Sequence, residues 1–156
     1  DERAIFFCKG VLETVKKLGW APDIIHCHDW FTSFIPLYLK TTYRNVPTFK
    51  DTKCIFTAYD TPFEHQFDKS IAEKVKMPDI DDDMLTPIAK GTYSAFIELG
   101  ARYADRFTLA HTAVEKHLSD ANLIAKGEVV ERSESFMTYY HELYHELLGI
   151  SVGELV

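Results

Sequence analysis

The chain has 156 residues, of which 46% are hydrophobic and 26% charged, as is ordinary for a globular domain with a sizeable core. Its net charge of −7 argues against nucleic acid and anionic membranes as partners, because both are bound through basic patches. No apolar run reaches the length needed to span a bilayer. The three cysteines, Cys8, Cys27 and Cys54, lie in apolar patterns, so we expect free core thiols and a cytoplasmic protein.

The first third of the chain alternates between helical and strand patterns. Apolar residues at three- and four-residue steps predict an amphipathic helix over residues 3–18, which Gly19 ends. The short apolar run at 23–28 is typical of a buried parallel strand. A second helical pattern over 30–43 precedes a second predicted strand at 53–58. Two strands around a helix form a βαβ unit, so these strands are expected to be parallel.

Residues 61–90 interrupt this alternation. They hold three prolines and an acidic run at 79–83, and they predict an excursion at the carboxyl edge of the sheet with a short helix at 70–76. A connection of this length is usually either functional or mobile. A helix over 92–104 and a third strand at 107–110 follow. The other predicted elements of this single domain, residues 1–156, are a short helix at 113–118, a polar link at 119–132 and a terminal helix at about 133–148.

Polar and aromatic residues follow the first two strands of this predicted α/β fold, in which helices flank a parallel sheet. His28, Asp29 and Trp30 come directly after the first strand, and Tyr59 and Asp60 come after the second. Ligands of open α/β sheets bind at the carboxyl ends of the strands. If the strands are neighbours, these side chains converge and can bind hydroxyl groups and stack on a sugar. The alternative is that Asp29 caps a helix and Tyr59 packs in the core.

The terminal helix carries a short motif of a different kind. His141, Glu142 and His145 match the H-E-x-x-H pattern, in which two histidines on one helix face share a zinc ion and the glutamate acts as a base. No third histidine follows at the required spacing, so a solvated face is favoured over a zinc hydrolase built on His141 and His145. The acidic run at 79–83 lacks the glycine and the final glutamate of an EF-hand loop, and no metal site is predicted there. The chain also holds no Walker A or G-x-G-x-x-G loop.

Three blocks of the chain have the order and the spacing of a known family's motifs. Residues 22–30, Pro-Asp-Ile-Ile-His-Cys-His-Asp-Trp, and 35–39, Ile-Pro-Leu-Tyr-Leu, match the pattern P-D-[IV]-[IV]-H-x-H-D-W…P-x-Y-L. Residues 53–60 lie where that family has a strand ending in F-T-[VI]-H-N, and 100–108 match its G-x-x-x-A-D-x-[IV]-T segment. Over about residues 3–118 the chain therefore resembles the bacterial glycogen and plant starch synthases of glycosyltransferase family 5.

The resemblance implies part of the N-terminal lobe of a glycosyltransferase with two Rossmann-like lobes. Such enzymes transfer glucose from ADP-glucose or UDP-glucose to an α-1,4-glucan, retain the anomeric configuration and need no metal, so no cofactor is expected. A sugar nucleotide and an α-glucan such as glycogen or starch are the implied partners. By position, His28, Asp29, Trp30 and Asp60 are the implied substrate-binding residues, and Tyr59 occupies the catalytic position of the family's cleft histidine.

The chain also departs from the family pattern. Tyr59 and Asp60 replace the histidine and the asparagine of F-T-V-H-N, and the K-T-G-G-L loop near the donor phosphates is absent from these residues. A first residue, Asp1, that is not methionine suggests a piece of a longer protein. We therefore expect a fragment that is inactive alone and requires a second lobe or a partner chain. A non-catalytic glucan-binding or partner-binding Rossmann-like domain is the first alternative, and the zinc hydrolase is the second.

Overall fold

A four-stranded parallel sheet forms the centre of the protein. The structure, a computed structural model, describes residues 2–150. The strands pair in sequence order, β1-β2-β3-β4, and every pair is parallel, which confirms the predicted fold class. The strand bounds are β1, Ile24–His28; β2, Lys53–Ala58; β3, Arg106–Leu109; and β4, Glu128–Val129.

Helices flank this sheet, and within residues 2–150 none of them is long and apolar enough to cross a membrane. The first helix buries Ala4, Ile5, Cys8 and Leu12, and the last helix buries Tyr140, Leu143 and His145. The α-helices are α1, Glu2–Leu18; α2, Phe34–Lys40; α3, Ile71–Val75; α4, Asp82–Leu85; α5, Tyr93–Tyr103; α6, Ala121–Lys126; and α7, Phe136–Leu148.

The strands divide the core into two clusters, because successive side chains of a strand point to opposite faces of the sheet. From β2, Cys54 and Phe56 enter a large apolar cluster with residues of α1, α2 and α5. Ile55, between them, enters a smaller cluster with Tyr140 and Leu143 of α7. The sheet is therefore covered on both faces, and α7 provides part of the cover on the second.

A glycine allows α5 to lie close to β2. A Cβ atom added at Gly100 would lie 2.6 Å from two ring carbons of Phe56. The Phe56 ring is fully buried and stacks on Phe107 with 6.1 Å between ring centroids. The ring therefore has little room to move away, and only a residue without a side chain fits at position 100.

Two predicted elements have a different form in the structure. The predicted helix at 30–43 is divided into a 3₁₀ turn, Trp30–Thr32, and α2. Pro36 lies in the first turn of α2. The backbone N–H groups of a first turn have no acceptor within the helix, so proline, which lacks this group, is tolerated there. The predicted polar link at 119–132 contains α6 and β4. Asp120 caps α6, since its side chain accepts a hydrogen bond of 2.9 Å from the backbone N–H of Asn122.

The excursion at 61–90 is packed onto the domain. It contains α3, α4 and a 3₁₀ turn, Pro87–Lys90. The hydroxyl of Tyr38 donates a hydrogen bond of 3.0 Å to the carbonyl oxygen of Val75, which joins the excursion to α2. Its fully or nearly fully buried side chains in the large apolar cluster are Ile71, Val75, Ile80, Leu85 and Ile88.

The cysteines are free thiols within the core. Cys8, Cys27 and Cys54 are all buried and unbonded, as the apolar sequence pattern predicts. The sulfur atoms of Cys27 and Cys54 lie 4.0 Å apart on neighbouring strands. Burial raises the pKa of Cys8 to about 12, so its thiol stays protonated and unreactive at neutral pH.

Candidate functional site at the carboxyl ends of the strands

The carboxyl ends of β1 and β2 lie side by side. His28 is paired with Thr57 in the strand register, and the backbone N–H of Asp29 donates a hydrogen bond of 2.8 Å to the carbonyl oxygen of Thr57. The residues that follow the two strands therefore emerge at the same edge of the sheet. This adjacency of Asp29 and Tyr59 is the arrangement that the parallel-sheet interpretation of the sequence required.

The Asp29 carboxylate ties three parts of the chain together at this edge. One oxygen accepts a hydrogen bond of 2.8 Å from the hydroxyl of Tyr93 on α5, and the other accepts one from the hydroxyl of Thr61. The Tyr93 hydroxyl also contacts the carbonyl oxygen of Tyr59. Asp29 holds a backbone conformation of φ 59° and ψ 178°, which side chains disfavour by about 1–3 kcal/mol. These hydrogen bonds retain the strained residue in place.

His28 and Tyr59 form a hydrogen-bonded pair. The Nδ1 atom of His28 lies 3.1 Å from the hydroxyl oxygen of Tyr59. Burial lowers the pKa of His28. The pKa of Tyr59 is raised by burial and, to a smaller extent, by Tyr140 and Asp29. At neutral pH the phenol therefore keeps its proton, and it can donate a hydrogen bond either to a neutral His28 or to a bound ligand.

Asp60 belongs to a small charged cluster. Its carboxylate lies 2.8 Å from Nε2 of His117 and accepts a hydrogen bond of 3.0 Å from the ammonium group of Lys116. The hydrogen bond with His117, followed by the one from Lys116, lowers the pKa of Asp60. The carboxylate is therefore ionised at neutral pH. His117 and Lys116 follow β3, and their convergence with Asp60 at the carboxyl edge could have been inferred from the third predicted strand.

Trp30 lies among aromatic side chains. Its indole makes edge contacts with Phe63 at 5.0 Å and with Phe96 at 5.9 Å between ring centroids, and it lies 6.0 Å from the ring of Phe67. These contacts join the excursion to α5, since Phe63 and Phe67 belong to the excursion. The structure thus gives Trp30 a packing role, and its assignment as a substrate-binding residue stays a prediction.

A pocket of about 660 Å³ opens beside these strand ends. Of the residues predicted for the site, Tyr59 and Asp60 line it, whereas His28, Asp29 and Trp30 do not. Much of the opposite wall comes from the end of the chain, which the sequence-based site did not include. The complete lining is Thr57, Tyr59, Asp60, Thr61, Ala110, His111, Val130, Arg132, Ser133, Phe136, Met137 and Tyr140.

A partly buried network of hydrogen bonds connects Thr57 and Tyr140 of the pocket lining to neighbouring side chains. His26 lies 2.7 Å from the hydroxyls of both Thr57 and Tyr144. Thr57 also lies 2.6 Å from the hydroxyl of Thr108, which is 3.1 Å from that of Tyr140. Burial, with a smaller effect of the stacked His28, lowers the pKa of His26 to about 4. A neutral imidazole therefore connects α7 to the sheet.

The two histidines of the terminal motif are neighbours on α7. The ring centroids of His141 and His145 lie 4.2 Å apart. Across residues 2–150, no group of three or more His, Cys, Asp or Glu side chains is arranged to hold a metal ion. The zinc hydrolase alternative therefore has two adjacent imidazoles but no third protein ligand in the described part of the chain.

Comparison with known proteins places the chain in a family. The sequence model of the starch synthase catalytic domain matches residues 1–121. The chain belongs to this family. The resemblance predicted from the H-D-W block and its two companions is thereby confirmed. The match includes β1, β2 and β3 and ends at the start of α6, so the part of the pocket wall that α7 provides lies beyond it.

Several curated relatives of this starch synthase family chain are glycogen synthases. The protein from Desulforudis audaxviator is 34% identical over 155 residues, which is 98% of this chain and 29% of that protein. The protein from Chlorobium luteolum is 50% identical over 80 residues, or 47% of this chain and 16% of that protein. The protein from Thermotoga petrophila is 42% identical over 78 residues, or 50% of this chain and 16% of that protein. The chain spans less than a third of the length of these relatives.

Proposed function

We propose that this chain forms one wall of the catalytic cleft in a glucosyltransferase of the glycogen or starch synthase type. Such an enzyme transfers glucose from ADP-glucose or UDP-glucose to an α-1,4-glucan with retention of configuration. The observation that carries the proposal is the pocket of about 660 Å³ at the carboxyl ends of parallel strands, in a chain of this family. The relatives named glycogen synthase support the same activity.

The pocket offers the contacts that a sugar needs. The protonated phenol of Tyr59 can donate a hydrogen bond to a hydroxyl, and the ionised carboxylate of Asp60 can accept one. Phe136 and Tyr140 add aromatic surface for the apolar face of a hexose. Arg132 makes no ion pair with another residue in the range 2–150, so its charge is available to a phosphate of the donor.

Tyr59 sets the expected level of activity. The family has a histidine at this position, and a phenol whose pKa is raised cannot replace an imidazole as a proton acceptor near neutral pH. Its hydroxyl is also engaged by His28 in the absence of ligand. We therefore expect weak transfer from a cleft that contains Tyr59, and none from the 156-residue chain alone.

A chimeric enzyme tests this proposal. This chain replaces the matching segment of the Desulforudis audaxviator glycogen synthase, with either Tyr59 or Tyr59→His. Transfer of radiolabelled glucose from ADP-glucose and from UDP-glucose to glycogen is then measured. We expect Tyr59→His to raise the rate by roughly 10²-fold, since general acid–base groups contribute at least this much. The proposal fails if both chimeras fold, as judged by circular dichroism, and neither one transfers glucose.

The second candidate is a non-catalytic glucan-binding domain. The hydrogen bond between Tyr59 and His28 favours it, because it satisfies the phenol without any catalytic partner. Migration of the 156-residue chain through a native gel that contains glycogen separates the candidates. Retardation that Tyr59→Ala abolishes, together with an inactive Tyr59→His chimera, would favour binding without transfer.

A further inference from the structure

The first strand forms an open edge of the sheet. Within residues 2–150, β1 pairs with β2 and with no other strand. The backbone N–H of Asp29 and the carbonyl oxygen of Asp23 both form hydrogen bonds with β2. Backbone groups alternate in direction along a strand, so Ile24 and His26 direct their N–H and C=O groups away from β2. The edge of β1 therefore offers backbone donors and acceptors to a further strand.

This edge lacks the features that usually prevent strands from pairing between molecules. Natural edge strands are protected by lysine, by proline or by a bulge. The strand Ile24–His28 contains neither lysine nor proline, and its register with β2 is continuous. Burial lowers the pKa of both His26 and His28, so both imidazoles are uncharged at neutral pH. No charge on the strand itself opposes the addition of another strand.

The first helix lies beside this open edge. On one face of the sheet α1 packs on α2, and α2 packs on α5. Both α2 and α5 also contact β2, whereas α1 packs mainly against α2, α3 and two 3₁₀ turns, Trp30–Thr32 and Pro47–Phe49. Because α2 connects β1 to β2, α1 is the outermost helix of this row on the side of β1.

An apolar groove of about 880 Å³ runs along the outer face of α1. Phe6 and Phe7 line it and are 81% and 44% exposed. Gly10 leaves space between the larger side chains, since a Cβ atom there would meet no atom within 4 Å. Phe31, which follows β1 closely, also lines the groove, and its ring centroid lies 5.4 Å from that of Phe7. The groove and the open edge of β1 therefore form one continuous surface, the β1–α1 surface.

We infer that the β1–α1 surface binds a second copy of this chain across a twofold axis. The two β1 strands pair antiparallel, which joins the two four-stranded sheets into one. A twofold axis perpendicular to the sheet places both α1 helices on the same face and antiparallel, so Phe6 and Phe7 of each copy reach the groove of the other. One symmetry operation thus pairs the open strand edge and covers the apolar groove.

The charges of α1 favour an identical helix as the occupant. Glu2 lies in its first turn, and Lys16 and Lys17 lie in its last turn. In an antiparallel pair the acidic start of each helix faces the basic end of the other, and the two helix dipoles are also opposed. A parallel arrangement would bring like charges together. Charge complementarity therefore selects both a second copy and its orientation.

The size of the β1–α1 surface predicts a weak dimer. The 17 residues of α1 extend over about 25 Å, and a surface of this length and about 20 Å in width buries roughly 1,000 Å² over both copies. This area is at the lower limit for specific interfaces, so we expect a dissociation constant in the micromolar range. No residue of α1 or β1 lines the pocket at the carboxyl ends of the strands, and that pocket stays accessible in the dimer.

Sedimentation equilibrium of the 156-residue chain tests the inference, at protein concentrations from about 1 µM to about 500 µM. Phe6→Glu would place an unpaired charge in the apolar contact, and we expect the dissociation constant to rise by at least about 100-fold. Because Phe6 is largely exposed in the monomer, the substitution leaves folding intact. Met137→Glu is the matched control: it adds the same charge at a residue of α7 that is 75% exposed, and dimerisation should be unchanged.

Amide hydrogen exchange tests the strand pairing without a substitution. The N–H groups of Ile24 and His26 should exchange more slowly as the concentration of the wild type rises, and they should stay unprotected in Phe6→Glu at every concentration. The inference is overturned if the wild type stays monomeric throughout, which would leave the surface to a different polypeptide. It is equally overturned if Phe6→Glu and Met137→Glu dimerise alike, or if a dimer forms without protection of Ile24 and His26.

Discussion

The two faces of the sheet are constructed from different kinds of side chain. On the face towards α5, Cys54, Phe56 and Phe107 lie in a large apolar cluster without polar partners. On the face towards α7, Thr57 and Thr108, the immediate neighbours of those phenylalanines in the sequence, take part in a hydrogen-bonded network. Alternation along each strand thus separates an apolar interface from a hydroxyl-rich one.

The difference indicates what each face contributes. The α5 face is stabilised by burial and close packing, which depend on shape and hardly on pH. The α7 face depends on hydrogen bonds and on an uncharged His26. Because α7 also lines the pocket at the carboxyl ends of the strands, that site depends on the more polar and more easily perturbed of the two interfaces.

A methyl group at position 100 would test the close packing of the α5 face. Gly100→Ala places a carbon 2.6 Å from the buried Phe56 ring, and we expect a loss of about 2–3 kcal/mol in the free energy of unfolding. Gly10→Ala on α1 meets no atom within 4 Å and should be neutral or stabilise the helix by up to about 1 kcal/mol. Urea denaturation followed by circular dichroism measures both. Equal effects of the two substitutions would contradict the described contact between α5 and β2.

Acid should weaken the α7 face. The pKa of His26 is about 4 in the folded protein and near 6.5 in an unfolded chain. Between these values the unfolded state binds more protons, so the free energy of unfolding falls as the pH is lowered through this window and is fully retained above it. We expect a loss of roughly 2 kcal/mol, less than the full shift implies, because the ring is partly exposed. His28 stacks on His26, and its lowered pKa contributes with the same sign.

Urea denaturation of the wild type and of His26→Gln at several pH values measures this effect. The variant should be less stable at about pH 7 and should lose less stability between about pH 6.5 and about pH 4.5, because the carboxylates titrate mainly below that range. Parallel curves for the two proteins would show that His26 does not set the pH dependence of this face.

The smallest expected effect concerns a single hydroxyl. Tyr140→Phe removes the hydrogen bonds of 3.1 Å to Thr108 and 3.3 Å to Thr57 but keeps the ring, so we expect a loss of about 1 kcal/mol. Tyr103→Phe on α5 is the control, since the Tyr103 hydroxyl makes no hydrogen bond to another residue in the described range and should be dispensable. The thermal unfolding midpoints of the two variants are compared with that of the wild type. A larger loss of stability in Tyr103→Phe than in Tyr140→Phe would argue against the network.

Much of the sheet could be predicted from local patterns. The runs at 23–28 and 53–58 are apolar, rich in β-branched residues and followed by polar side chains, and they form β1 and β2 nearly as expected. The sequence did not predict β4, because a strand of only two residues, Glu128 and Val129, is too short to show a periodic pattern. The excursion at 61–90 was expected to be functional or mobile, yet its apolar residues, spaced irregularly between prolines, are buried in the core.

The site residues that directly follow a strand could be predicted from the sequence. Those that come from elements distant in the sequence could not. Asp29 and Tyr59 follow their strands, and the parallel order is enough to bring them together. Tyr93 approaches the same edge from α5, 64 residues after Asp29, and no local pattern indicates this contact. Phe136 and Tyr140 lie within the predicted terminal helix, and only the docking of α7 on the sheet makes them part of a pocket wall.

Asp29 combines two properties that a substitution cannot keep together. Its backbone has a conformation suited to glycine, while its carboxylate accepts hydrogen bonds from Tyr93 and Thr61. Glycine would relax the main chain but leave two hydroxyls without their acceptor, and asparagine would keep the shape but lose the charge. Position 29 therefore restricts any redesign of this edge of the sheet: the neighbouring loops can vary only around a residue that has no good substitute.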